Sequence, residues 1–198
     1  MKIPRWIART SALALGAVTL AGCHSLPPLH YYALDAVTPT AAPVTPGFPN
    51  PLHIRHLSVP HEMDHLGLTH HTGPTQLAIS DTDQWSAPLT DLIQGTLTRD
   101  LGARLGFAQV VAPDALPAAA AGSVAALDLD FVSLAADDAC AIDAQVNWTL
   151  SVSGSGTPRH GTVHLMAPAS SCPAGLPAAL SAALGDLADQ LALQLRAP

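Results

Sequence analysis

Five consecutive residues, His61-Glu62-Met63-Asp64-His65, spell H-E-x-x-H, in which two histidines one helical turn apart bind zinc and the glutamate serves as general base. His71 stands at the spacing of a third ligand in the longer form of that motif. The chemistry requires both histidines on one face of a rigid helix. Pro60 precedes the motif and Gly67 follows it closely, so only a single turn fits between them. The longer motif also wants glycine where the chain has Leu68, and Glu62 is the sole glutamate, which leaves no downstream glutamate ligand. The stretch therefore reads as a polar loop and strand edge. His61, His65, His70 and His71 form at most an adventitious surface metal site, and neither a catalytic residue nor a cofactor is expected. No phosphate-cradling glycine loop, G-x-S-x-G elbow or Cys-x-x-Cys pair is present. His160 and His164 share a face of a predicted strand without evident partners.

The three cysteines offer different chemistry. Lys2, Arg5 and Arg9 precede an apolar run from about Ala12 to Leu20, the layout of a secretory signal, and the run is shorter than the roughly 20 residues a membrane-spanning helix needs. It ends in Leu20-Ala21-Gly22-Cys23, which resembles the bacterial lipobox. By that resemblance Cys23 is acylated and becomes the new N-terminus. His24 in place of aspartate after the cysteine implies the outer membrane. Cys140 and Cys172 are then free to pair in an oxidising periplasm, and closing a loop of that length contributes roughly 3 to 4 kcal/mol in the chain-entropy estimate. Two separate buried thiols are the alternative.

Removal of 1–22 leaves five arginines against fifteen acidic residues, a formal charge of −10. Such a chain has no broad basic footprint for nucleic acid or anionic headgroups, so membrane attachment must come through lipid. The organisation expected is a signal peptide over 1–22, a lipidated N-terminus and Pro-rich tether over 23–51, and one domain over 52–198. Tyr31-Tyr32-Ala33-Leu34 is too apolar for a linker and is expected to dock.

The elements that must position these residues follow from periodicity. Leu52 to Val59 alternates as a strand with Leu52, Ile54 and His56 on one side. Leu66–His71 and Gln76–Ser80 flank the turn residues Thr72-Gly73-Pro74-Thr75 and predict a hairpin. A helix is predicted from an N-cap at Ser86, with Pro88 in its first turn. Leu89, Leu92, Ile93, Leu97, Leu101 and Leu105 lie on its apolar face, Asp91, Arg99 and Arg104 off it, and Gly106 ends it; Trp85 folds back as core. Phe107–Val111 reads as a short strand and 113–122 as an Ala/Pro loop. Leu127, Leu129 and Phe131 alternate, and Ile142, Ala144, Val146, Trp148, Leu150 and Val152 do so still more regularly. A return strand over Gly161–Ala167 completes a hairpin about Gly156. Its apolar face, Val163 and Leu165, is odd-numbered, so facing Cys140 to Cys172 requires a bulge or the break at Pro168. A last helix carries Leu180, Leu184, Leu187, Leu191 and Leu195, with Pro177 in its first turn.

Taken together, Cys23, Tyr31-Tyr32-Ala33-Leu34, Val59-Pro60 and Trp85-Ser86-Ala87-Pro88-Leu89 resemble the ABC-type transport auxiliary lipoproteins, the paraquat-inducible outer-membrane lipoprotein family. The resemblance implies an α+β domain, an antiparallel sheet with two amphipathic helices packed on it, in agreement with the pattern above. It implies a non-catalytic accessory component of an ABC/MCE-type lipid transport system, anchored on the periplasmic face of the outer membrane. Its partners would be an MCE-type periplasmic protein and an inner-membrane permease, with self-association left open. Tyr31, Tyr32, Trp85, Pro88 and Leu89 are structural on this reading. The alternatives are a lipid-carrying module with an apolar cavity between helices and sheet, and a zinc hydrolase built on His61, Glu62 and His65. The His-rich stretch and the cysteine pair depart from the family pattern.

Overall fold

The computed structural model of the 198-residue chain describes residues 27–112, 115, 124–152 and 157–196. Cys23, the signal segment, most of the Ala/Pro loop and Gly156 lie outside the described residues. The elements run β1 (His30–Tyr32), β2 (Leu52–Ser58), β3 (Gly67–Gly73), β4 (Gln76–Trp85), α1 (Leu89–Leu105), β5 (Ala125–Ala136), β6 (Ile142–Val152), β7 (Arg159–Ala167) and α2 (Leu176–Leu195). They make a single α+β domain with a four-stranded sheet, β2-β5-β6-β7, and a three-stranded sheet, β1-β4-β3.

Both sheets are mixed where an antiparallel sheet was expected, because β2 lies parallel to β5 and β1 parallel to β4. The crossover from β2 to β5 contains a whole hairpin and α1, and a connection of that length returns the chain in the same direction. The hairpins β3/β4, β5/β6 and β6/β7 are antiparallel as predicted.

Alternation sets the buried face. Ile142, Ala144, Val146, Trp148 and Leu150 of β6 all point inward and meet Val163, Leu165 and Ala167 of β7. Two irregularities change the parity elsewhere. The register slips between Ile54 and His56 where β2 pairs with β5, so Leu57 is buried and His56 exposed, the reverse of a straight strand. A second slip between Phe131 and Ser133 exposes Val132 and lets Leu134 and Ala136 follow Phe131 into the core.

The helices cover that face side by side. Leu89, Ile93, Leu97, Leu101 and Leu105 of α1 are buried, as are Leu180, Leu184, Leu187, Leu191 and Leu195 of α2, and each such side chain stabilises by about 1.5–3 kcal/mol. The start of α1 differs from expectation. Pro88 itself is the N-cap and Leu92 N–H donates to its carbonyl, while Ser86 N–H donates to Tyr32 O, because β4 continues to Trp85 and leaves Ser86 in the connection. Gly106 ends α1 at φ +94°, a conformation other residues rarely adopt. The expected strand at Phe107–Val111 is a 3-10 turn, Phe107–Gln109, whose Val110 makes one bridge to Leu52. Phe107 lies across Gly102, where a Cβ would stand 2.6 Å from its ring.

The largest departure is the N-terminal segment. The tether expected over 23–51 is a docked strap over most of its described length. Leu34 and Phe48 are buried, Val44 N–H donates to Arg104 O at 2.8 Å, and Gly47 N–H donates to Leu195 O at 2.8 Å. Prolines remove donors, but Val37, Val44 and Gly47 between them retain theirs, and Leu34 and Phe48 add two apolar anchors.

Candidate functional site

Pro60 to Asp64 forms one isolated turn, in which Met63 N–H donates to Pro60 O at 2.9 Å and Asp64 N–H to His61 O at 3.3 Å. Met63 is drawn into the core at 4 % exposure, and His61, Glu62, Asp64 and His65 point to solvent. No helix carries the motif, so His61 and His65 never share a helical face, and His71 sits apart on β3 opposite Leu77. Among the described residues the one trio of side chains whose ligand atoms cluster is His70, Cys140 and Cys172, not His61, His65 and His71.

The cysteines are joined as a disulfide across a sequence separation of 32, with their Cα atoms 5.2 Å apart. Cys140 occupies the turn between β5 and β6 at φ +61°. The Asp137 carboxylate organises that turn by accepting from Ala139 N–H at 2.9 Å and Ala141 N–H at 2.8 Å. Of the two routes open to the β6/β7 hairpin, a bulge or the break at Pro168, the structure takes the second. The ladder runs unbroken from Ile142↔Ala167 to Leu150↔Arg159, pairing even with odd positions throughout, and the chain leaves the sheet at Pro168 to bring Cys172 round. An even-with-odd register needs no extra residue when the reversal is centred between two residues.

His70 is the residue that sequence reasoning grouped with the surface histidines. It follows the buried run Gly67-Leu68-Thr69, where the register between β3 and β4 shifts, so strand alternation could not have separated it from the surface histidines. Its Nδ1 is buried and has no hydrogen-bond partner, and a ring nitrogen of His70 lies within 4.8 Å of both sulfurs.

A second polar cluster holds the strap. Arg104, expected off the apolar face, is 3 % exposed, and Asp100 one turn before it is 0 % exposed. Arg104 donates to Asp189 of α2 through Nε at 2.6 Å and Nη2 at 3.1 Å, to Asp100 Oδ1 at 3.2 Å and to Val37 O at 3.2 Å. Asp100 Oδ1 also accepts from Val37 N–H at 2.8 Å. Burial raises the Asp100 pKa, against the lowering effects of the Val37 amide and of Arg104 and Arg99. Nearby, Arg99 and Thr96 donate to Leu34 O.

At the other end of the strap, Asp83 accepts from Tyr32 Oη at 3.0 Å and Ser80 Oγ at 3.0 Å, and His30 Nδ1 lies 3.3 Å away. Burial would raise the Asp83 pKa, but hydrogen bonds from Ser80, Tyr32, Thr82 and His30 outweigh it and hold the carboxyl below its ordinary value. These bonds explain the docking of Tyr31-Tyr32-Ala33-Leu34: Tyr32 is tied and Leu34 buried, while Tyr31 faces solvent.

The outer face of the four-stranded sheet is wet. It carries cross-strand pairs of Arg55 with Asp128, Ser58 with Asp130, Thr162 with Asn147 and His164 with Asp143, the last at 2.7 Å. His164 thus has a partner that the sequence did not reveal, one strand away. Met166 and Val132 are the large apolar side chains most exposed on β7 and β5.

Comparison with known proteins agrees with this architecture. The family described as ABC-type transport auxiliary lipoprotein component matches residues 32–192. Two crystal structures share the fold. One, of an uncharacterized protein, has a TM-score of 0.65 at 17% identity over 85% of this chain and 99% of that one. The other, a Xanthomonas campestris protein of family DUF330, has a TM-score of 0.59 at 20% identity over 83% of this chain and 94% of that one. No functionally curated protein matches the sequence.

Proposed function

This chain belongs to the ABC-type transport auxiliary lipoprotein component family, and from that premise we propose that it is the outer-membrane-anchored, non-catalytic docking piece of an MCE-type lipid transport system. The observation that carries the reading is the docked strap. Cys23 precedes His30, the first residue of β1, by seven positions, and a fully extended chain of that length reaches about 25 Å. A lipid on Cys23 would therefore hold the body close against the bilayer, not at the end of a 29-residue tether. No described helix is long and apolar enough to cross a membrane, which leaves the acyl chains as the proposed grip.

With both helices on one side of the four-stranded sheet, the polar outer face and the edge strand β7 remain open to an MCE-type partner. The apolar cavity lined by Trp85, Leu89, Leu134, Ile142, Leu176 and Leu180 encloses about 10 Å³, the space of one water and far less than an acyl chain. A lipid carried between helices and sheet does not fit that volume.

Crosslinking of the full chain in outer membranes, followed by pull-down, tests the partner. Capture of an MCE-type protein by wild type and its loss when the Asp128/Asp130 face is reversed in charge are expected. Palmitate labelling that persists in Cys23→Ser would count against the anchor.

A further inference from the structure

We propose that reduction of the Cys140–Cys172 disulfide converts this corner of the fold into a three-ligand site, one imidazole nitrogen of His70 with two thiolates, for one soft cation of the zinc class. The three residues come from three separate elements: β3, the β5–β6 turn, and the connection into α2. Their ligand atoms already lie within 4.8 Å of one another. Bonds of about 2.3 Å to sulfur and about 2.0–2.1 Å to imidazole nitrogen place zinc ligands roughly 3.5 Å apart, so the sulfurs need only separate around the ion. No carboxylate belongs to the trio, and a donor set of two sulfurs and one nitrogen selects against hard cations.

A second observation points the same way. His70 Nδ1 is a buried ring nitrogen without a hydrogen-bond partner, an arrangement that is costly unless something completes it. Two thiolates cancel the two charges of a zinc ion, so the neutral group is tolerated beside the buried Cys140.

The conversion needs a dithiol reductant. One of its thiolates attacks Cys172 Sγ, the half-buried sulfur, and the S–S bond breaks with Cys140 leaving as a thiolate that takes up a proton. The reductant's second thiol then displaces Cys172 and closes its own disulfide, so two electrons and two protons have passed to the cysteines. Zinc binding releases both thiol protons and uses one imidazole lone pair, with the ring proton on the other nitrogen.

The test uses the full chain with Cys23→Ser in every sample, so that the only thiols are the two at issue, and Co2+ as an optical probe that reports thiolate ligation. After anaerobic reduction, a thiolate-to-cobalt charge-transfer band saturating at one equivalent and abolished by one equivalent of Zn2+ is expected. The oxidised chain should show none. His70→Gln should weaken Zn2+ binding at least tenfold, and His61→Ala should leave it unchanged. Failure of the reduced chain to give the band overturns the proposal. So does an undiminished affinity in His70→Gln, or an equal band from chain unfolded in urea. Loss of the near-ultraviolet signal of Trp85 and Trp148 on reduction, unrestored by Zn2+, would overturn it as well.

Discussion

Arg104 of α1 reaches across the helix pair to Asp189 of α2 with two hydrogen bonds, at 2.6 and 3.1 Å, while its remaining amino group grips Asp100 and the strap carbonyl of Val37. One guanidinium thus ties together both helices and the segment that leads to Cys23. Arg104→Ala leaves the Asp100 carboxylate buried without its charge partner, and breaking such a buried pair costs about 3–5 kcal/mol. Urea unfolding should show that loss, and the Val37 and Val44 amides should lose hydrogen-exchange protection first.

Gly185 of α2 lets the strap approach, since a Cβ there would stand 2.7 Å from Val37 Cβ. Gly185→Ala raises helix propensity by about 1 kcal/mol but overpacks a site where crowding costs about 1–3 kcal/mol. The net expectation is a small destabilisation concentrated in the strap, read as faster proteolysis near residues 37–44. Adding Val37→Gly, which removes that Cβ, to the variant should recover much of the lost resistance.

The Asp83 carboxyl is held below its ordinary value in the folded chain. A group so depressed contributes stability above the unfolded carboxylate range and loses it as pH falls through the folded value. Acid should therefore loosen β1 from β4. Asp83→Asn should flatten that part of the stability–pH curve, measured by thermal melts at stepped pH; an unchanged slope would refute the assignment.

Within the H-E-x-x-H turn the order of sensitivity should invert that of a zinc protease. His61→Ala, Glu62→Gln and His65→Ala alter exposed side chains and should each stay within about 0.5 kcal/mol of wild type. Met63→Ala removes a core side chain and should cost about 2–5 kcal/mol in denaturant unfolding.

Much of the fold is legible along the chain because the signals are local. Leucines at three- and four-residue spacing specify α1 and α2, alternation specifies β5 and β6, Gly106 marks the end of α1, and Pro60 with Gly67 argues against a catalytic helix before any coordinates exist. Where reading by period fails, a single residue has slipped. Arg55 and Val132 sit at register shifts, and beyond each the parity of the strand reverses, so His56 and Leu57 exchange sides. Pattern alone cannot locate a bulge, because it is decided by the partner strand.

By itself, then, the sequence determined the resemblance of Leu20-Ala21-Gly22-Cys23 to a lipobox, the acidic character, the two helices and the apolar faces of the main strands, all of which depend on residues near one another in the chain. Only the tertiary structure decided that the Pro-rich segment is a strap, that Arg104 is buried, and that His70 faces the Cys140–Cys172 pair. Those outcomes depend on residues 32 to more than 100 positions apart, and the free energy that favours them, desolvation and hydrogen bonding between distant segments, exists only once the sheets and helices have closed around them.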